Sequence, residues 1–419
     1  MVAARIFMST AAESPAGGTR QRLEHIDAMR PIKQTAVIST HALIFFSPLS
    51  TSFAAGAFLT LTHFSRDAFL FVSACMLAYS YREQKSVKIA PYWKRRFISV
   101  GLPYLAWSLI YFPISMMVPT NSFPFYRVPW DTVFSGHGVH ELLIAVVTGY
   151  YHLYFLLVLL EFYLLFPLLL KLLRRWSRWH VLILLVALAW QIGWHFAVRH
   201  GHPSFTIASR TETRLVFSYP LYLVGGVIAA LHLDAMHAWI VRHAKAILIG
   251  TVIGAIVPVT VDAIHHHFYV PKYLIPGGDP FSPVVVPYDV GAIFCVYLLG
   301  VFLVSPRRSL RTRAITQSGS DAAYGIYLSQ MVWILFLHRW TLKWGILSHV
   351  PWLVMMLFAL IFAYMTGFLF SALVARTPLA RALVGRSQVP WNTLIPHFRS
   401  DVMPLRETYN AGPMDLSDV

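Results

Sequence analysis

Long apolar runs separated by short polar connections recur along almost the whole chain. They lie at 31–51, 62–81, 99–118, 152–171, 180–198, 215–231, 246–262, 287–304, 321–338 and 351–374. A helix of about 20 mostly apolar residues crosses the roughly 30 Å hydrocarbon layer of a bilayer. The pattern therefore predicts an all-α fold, a polytopic transmembrane helical bundle of about ten spans with no sizeable soluble domain. The first, second and ninth runs are interrupted by polar residues. The first run lacks a small-residue cleavage site behind it and is too polar for a signal peptide, so it reads as a retained helix.

Composition agrees. Of 419 residues, 57% are hydrophobic and 12% charged, about half the ~25% charged fraction of a soluble domain. Mean hydropathy is +0.58. The net charge of +16 raises the question of nucleic acid, but no basic stretch is interleaved with a soluble fold. Orientation accounts for the excess better. With the N-terminus inside, 26 of the 34 Lys and Arg fall on the inner side and 8 on the outer, as the positive-inside rule requires. The reading is ten spans with both ends in the cytoplasm of a multi-pass protein of the cell (plasma or inner) membrane.

Residues 1–20 (with Ala-Ala-Glu-Ser-Pro-Ala-Gly-Gly-Thr) and 377–419 (with Pro390, Pro396, Pro404 and Pro413) are polar and turn-rich, and read as mobile cytoplasmic ends. The outer loops 119–150 and 263–285 are long enough for a rim or lid. Cys75 and Cys295 lie inside apolar runs, so no disulfide framework is expected.

Ionisable groups at bilayer depth normally face the bundle interior and mark function. The first span is the richest: Asp27-Ala-Met-Arg30-Pro31-Ile-Lys-Gln34, continuing to His41. Eleven residues separate Arg30 from His41, three turns plus about 20°, so both project from one face about 16 Å apart. Gln34 shares that face and Asp27 lies one turn below. Pro31 suits the first turn of the helix, where a missing N–H costs nothing. Such a stripe fits a ligand with an anionic head in the cytoplasm and a reactive end reaching inward. Arg offers a permanently charged fork for phosphate, and His accepts protons near neutral pH. The plainer alternative makes Arg30 an interfacial anchor and His41 a packing residue.

Glu161 in the fourth span, Ser73 in the second and Gln330 in the ninth reach comparable depth, with Arg66 and Asp67 at the outer end of the second. A buried Glu161 needs a partner or a proton. It could equally be a structural tie. His265-His266-His267 and His137-x-x-His140 lack the spacing and companions of a metal site, so no metal is expected. Walker, GxGxxG, GxSxG and HExxH patterns are absent from the sequence.

Taken in order, these residues resemble the membrane-bound acyltransferase-3 family. Arg30 and His41 match its Arg and His separated by ten residues on the first helix, approached by Ile-Asp27-Ala-Met. Asp67-Ala-Phe-Leu-Phe-Val-Ser73, His152-Leu-Tyr154-Phe, Phe162-Tyr163-Leu-Leu-Phe-Pro167 and Tyr324-Gly-Ile-Tyr327-Leu are similar to further family segments. The likeness runs from about residue 23 to 375. It departs at Ser99, where a second Arg after Arg96 is usual, at Ala74 in place of Gly, and at Ser329-Gln330 in place of a His.

The resemblance implies an acyl-CoA-dependent acyltransferase domain over 21–376. It would move an acyl group, acetyl by preference, from cytoplasmic acyl-CoA to a hydroxyl of a carbohydrate or lipid-linked envelope acceptor. It implies Arg30, Arg95, Arg96 and Gln34 around the donor, and His41 as base with Glu161 orienting or polarising the hydroxyl. Arg66, Asp67, Ser73, His152, Tyr324, Tyr327 and Gln330 would face the substrates. Expected partners are membrane lipid, acyl-CoA and the acceptor, with a homodimer possible and nucleic acid not. A proton-coupled transporter or exporter is the rival reading, since it too uses mid-membrane His, Glu and Asp. The matching broken halves common in transporters are not seen.

Overall fold

The computed structural model describes residues 23–49, 52–122, 126–200, 212–267, 281–305 and 308–391. The expectation for 1–20, for the tail beyond 391 and for the side chains of His265–His267 lies outside the described residues, as does 268–280 of the second outer loop. The chain is helical almost throughout. In order come α1 (Glu24–Phe46), α2 (Phe53–Thr62), α3 (Phe64–Tyr81), α4 (Ile89–Arg96) and, after a π-helical turn at Phe97–Gly101, α5 (Leu102–Ser115). The connection after α5 holds a two-residue antiparallel pair, β1 (Val118–Pro119) and β2 (Tyr126–Arg127), then α6 (Trp130–Val133) and α7 (Gly136–Thr148). Next are α8 (Tyr154–Arg175), α9 (His180–His200), α10 (Pro220–Leu231), α11 (Leu233–Arg242) and α12 (Ala244–His267). The chain closes with α13 (Val286–Val304), α14 (Leu310–Lys343), α15 (Trp352–Val374) and α16 (Ala380–Val384).

Among the described residues, six helices are long and apolar enough to cross a membrane, and α10 with α11, bent by 102°, makes a seventh. α1, α3 and α14 meet the length but not the apolarity, because they carry the polar residues singled out above. They are also the innermost. α1 packs against α2, α3, α13, α14 and α15, so its polar face is screened from lipid by other helices. The outer helices show the reverse: Val181, Leu182, Leu185 and Val186 of α9 and Ile249, Val252, Ile253 and Ile256 of α12 are exposed, as lipid-facing surfaces should be.

Two boundaries differ from the sequence reading for a physical reason. α1 starts at Glu24, so Pro31 lies inside the helix and not in its first turn. A spanning helix is not confined to the apolar run that defines it, and here it extends two turns toward the water. Pro31 has no N–H for the Asp27 carbonyl, which loosens the ladder beside Arg30. The expected tail, by contrast, begins as folded structure. The carbonyl of Leu383 accepts from Trp107 Nε1 at 2.9 Å, and Val389 N donates to Ala375 O at 2.8 Å. Ala380 and Val384 are buried, and that apolar pair anchors a segment whose composition suggested mobility.

α3 and α10 touch backbone to backbone at Gly226. A Cβ there overlaps the Phe71 carbonyl and crowds Ala74, a close approach that only small residues allow. Gly226→Val should therefore lower stability by about 3 kcal/mol or more, read as loss of folded protein in a detergent thermal-shift assay. Gly250→Val, where nothing stands within 4 Å, is the matched control. Equal melting of the two variants would remove this crossing from the core.

Candidate active site

α14 presents Ser320, Tyr324, Tyr327 and Gln330 at spacings of three and four, which places them on one helix face. The row climbs about 15 Å. Ser320 Oγ, Tyr324 Oη and Gln330 Nε2 are buried with no hydrogen-bond partner among the described residues. Buried polar atoms are nearly always satisfied, so this row of orphans is a candidate lining for a polar ligand. α1 borders the row. Gln34 Nε2 donates to Gln330 Oε1 at 3.2 Å, bringing together two residues selected separately from the sequence.

At the Gln330 end of this row two histidines meet. The rings of His41 and His152 stand 5.9 Å apart, centroid to centroid, edge to face. His41 is partly exposed and makes no hydrogen bond to the described residues. His152 is 4% exposed, and neither ring nitrogen has a partner. Its place is fixed by backbone and packing. The His152 carbonyl accepts from Tyr327 Oη at 2.6 Å, and the ring packs edge-on to Tyr327 at 4.8 Å and Tyr111 at 5.6 Å. A tight turn delivers it: Gly149 has φ +78° and Tyr151 φ +43°. Positive φ is rare for a residue other than glycine and gathers at functional sites. Ser115 Oγ and Tyr150 Oη, 2.6 Å apart, pin the turn.

Cations gather at the opposite end. Arg30 pairs with Asp27 at 3.2 Å and remains 39% exposed. Arg96, set at the start of the π-helical turn, lies over Tyr163 (5.6 Å) and Tyr92 (5.9 Å). Both guanidiniums lie within electrostatic reach of the Tyr163 phenol. Arg96 Nε and Tyr92 Oη are buried without partners there. Single π-helical turns in α-helices are frequent at functional sites. Arg95 is exposed on α4 with no described contact to this group. Lys33, given no role from the sequence, is 2% exposed and sits 4.3 Å over the Phe69 ring. Its signal was available: an ammonium one turn past Arg30 at bilayer depth.

The remaining candidates lie elsewhere. Glu161 Oε2 accepts from Val216 N at 2.8 Å, about 13 Å along α8 from the His152 turn. That bond ties down the turn before α10 and brings the carboxylate near neither histidine. Arg66 pairs with Asp67 at 3.3 Å and stacks on Phe281 at 4.3 Å and Tyr219 at 5.1 Å. The Asp67 carboxyl lies within hydrogen-bond reach of Asp289, which accepts from Tyr222 Oη at 3.4 Å. Two residues on, Phe69 packs on Tyr327 and Phe155. Positions two apart point to nearly opposite sides of a helix, so Asp67 turns toward α10 and α13, and Phe69 toward the histidines. Ser73 is partly exposed farther along α3. Asp289 and Tyr222 went unnoticed in the sequence, though an aspartate within an apolar run was a usable sign.

His137 and His140 are exposed on α7, and among the described residues no three candidate ligands gather. A family model described as an acyltransferase domain matches residues 23–373. No curated protein and no solved structure matches the chain.

Proposed function

Because the chain belongs to the membrane-bound acyltransferase-3 family over residues 23–373, we propose that it moves an acyl group from cytoplasmic acyl-CoA to an acceptor hydroxyl arriving from the opposite side. One observation carries this reading: two facing histidines with unpartnered nitrogens stand at one end of a row of buried polar side chains, and Arg30 and Arg96 lie toward the other. With α1, α3 and α14 counted as spans, the chain crosses the cell membrane ten times and keeps both ends inside.

In this scheme Arg30 and Arg96 hold the CoA phosphates, and the Tyr92 and Tyr324 hydroxyls supply further donors. The pantetheine arm, with its two amides, lies along Ser320, Tyr324, Gln330 and Gln34. The thioester then rests beside His41. The acceptor oxygen attacks the carbonyl carbon while His41 takes the hydroxyl proton. As the C–S bond breaks, the thiolate leaves and the imidazolium returns the proton to sulfur. The products are an ester and free CoA. His152, donating through one nitrogen, is placed to meet the oxyanion of the tetrahedral intermediate. Acetyl as the acyl group, and a carbohydrate or lipid-linked acceptor, belong to the same proposal.

The test uses the full chain in nanodiscs with labelled acetyl-CoA. Acceptor-dependent release of free thiol supports transfer. No release with any acyl-CoA, joined to solute flux in CoA-free proteoliposomes, would move the protein to the transporter class. For the donor site, Arg30→Gln and Arg96→Gln should each raise the acyl-CoA KM about 10- to 100-fold, the range of a lost charged hydrogen bond (1.5–3 kcal/mol). An unchanged KM in both removes the arginines from the donor site.

A further inference from the structure

α14 continues outward beyond Gln330, and its last turns carry His338 and Arg339. His338 packs edge-on to Phe45 at 5.1 Å and Phe46 at 5.5 Å. Phe45 is four residues past His41, so this contact lies about 6 Å of helix rise outward of the catalytic imidazole. Arg339 is next in the chain and half-buried. Its Nη1 donates to Met117 Sδ at 3.1 Å and its Nη2 to Ile114 O at 3.4 Å. The guanidinium lies 4.8 Å from the Tyr126 ring centroid and within electrostatic reach of Tyr151, on the turn that delivers His152.

This guanidinium is oriented by neutral groups alone. Arg30 has Asp27, Arg66 has Asp67 and Arg313 has Glu24. No acidic side chain pairs with Arg339 among the described residues. A thioether and one long carbonyl bond orient the group without neutralising it, and they engage two of its five donors. A half-buried cation held in place by neutral contacts is a fork prepared for a carboxylate or phosphate. It stands on the outer side of the two histidines, opposite the donor arginines.

We infer that the acceptor is anionic, and that Arg339 grips its carboxylate or phosphate while a hydroxyl about one sugar residue away reaches His41. The inference rests on the acyl-transfer reading for the hydroxyl, but the anion site can be tested apart from it.

Three acceptors that differ only at C6 make the test: methyl glucoside, methyl glucuronide and methyl glucoside 6-phosphate, offered to the full chain in nanodiscs with acetyl-CoA. Wild type should favour the charged sugars at least about tenfold in kcat/KM, and their ratio tells carboxylate from phosphate. Arg339→Gln should bring all three toward equality through the acceptor KM, and Arg339→Lys should keep part of the preference. Equal use of the three sugars by wild type overturns the inference. So does a preference that survives Arg339→Gln, including a uniform loss of rate that leaves the ratio intact. If acetyl-CoA is not consumed at all, calorimetric binding decides the point. Tighter glucuronide than glucoside binding that vanishes in Arg339→Gln supports the anion site even though the transferase reading has failed. No difference in binding ends it.

Discussion

His41→Ala should abolish acyl transfer, lowering kcat by roughly 10²- to 10⁴-fold, the usual contribution of a positioned general base. The protein should still insert and still bind acyl-CoA. The reason lies in what the ring touches. His41 hydrogen-bonds to none of the described residues and meets His152 only ring to ring, so its removal strands no buried partner. Arg30 lies about 16 Å away along the same helix, Arg96 stands on α4, and neither is touched by the change. Stopped transfer with unchanged acyl-CoA binding, measured on one preparation in nanodiscs, is the expected pair of results. His152→Ala should also slow transfer, and the double variant should lose little beyond His41→Ala, because groups acting on one transition state are not additive. Wild-type turnover by a folded His41→Ala protein would end the assignment.

The second large effect is expected from a residue with no chemistry. Gly149 has φ +78°, and a Cβ there overlaps the backbone of Tyr154, where α8 begins. Gly149→Val is thus both strained in backbone and blocked by main chain, which cannot swing aside as a side chain can. Relief must come by moving the 149–154 turn, and His152 moves with it. A displacement of about 1 Å can cost on the order of 100-fold in rate. The measurement is kcat at saturating acyl-CoA, expected to fall about 100-fold with the acyl-CoA KM little changed. Gly136→Ala, with open space at its Cβ, should behave as wild type. A Gly149→Val enzyme with normal kcat would show that the turn does not set the histidine.

Much of this architecture was legible in the residues. Apolar runs of bilayer length announce helices whatever their packing, and the eleven-residue interval between Arg30 and His41 fixes a shared face by helix geometry alone. Pairing across the fold was less accessible. That Gln34 meets Gln330, 296 positions away, depends on which helices lie side by side. Glu161 shows the limit of reading depth as function, since a backbone N–H satisfies its carboxylate as well as a substrate would. Lys33 and Arg339 were visible as charges in or beside apolar runs. Their significance came from their surroundings, an aromatic face for one and a missing counter-ion for the other. The tail at 377–391 misled because the prolines and polar residues beyond it coloured the reading of the whole end, while buried Ala380 and Val384 decide where this part docks.

The three polar helices at the centre bear on how the molecule is made. A charged residue at the middle of a membrane helix costs a few kcal/mol on translocon insertion scales, and α1 carries Arg30 and Lys33 among its first turns. It is translated before the helices it packs against, and three of those that shelter it, α13, α14 and α15, follow more than two hundred residues later. During synthesis, then, the segment bearing His41 is one that lipid alone holds poorly. Truncations that stop before α13 should leave it poorly retained in the bilayer, and its lasting seat is won only when α13, α14 and α15 arrive.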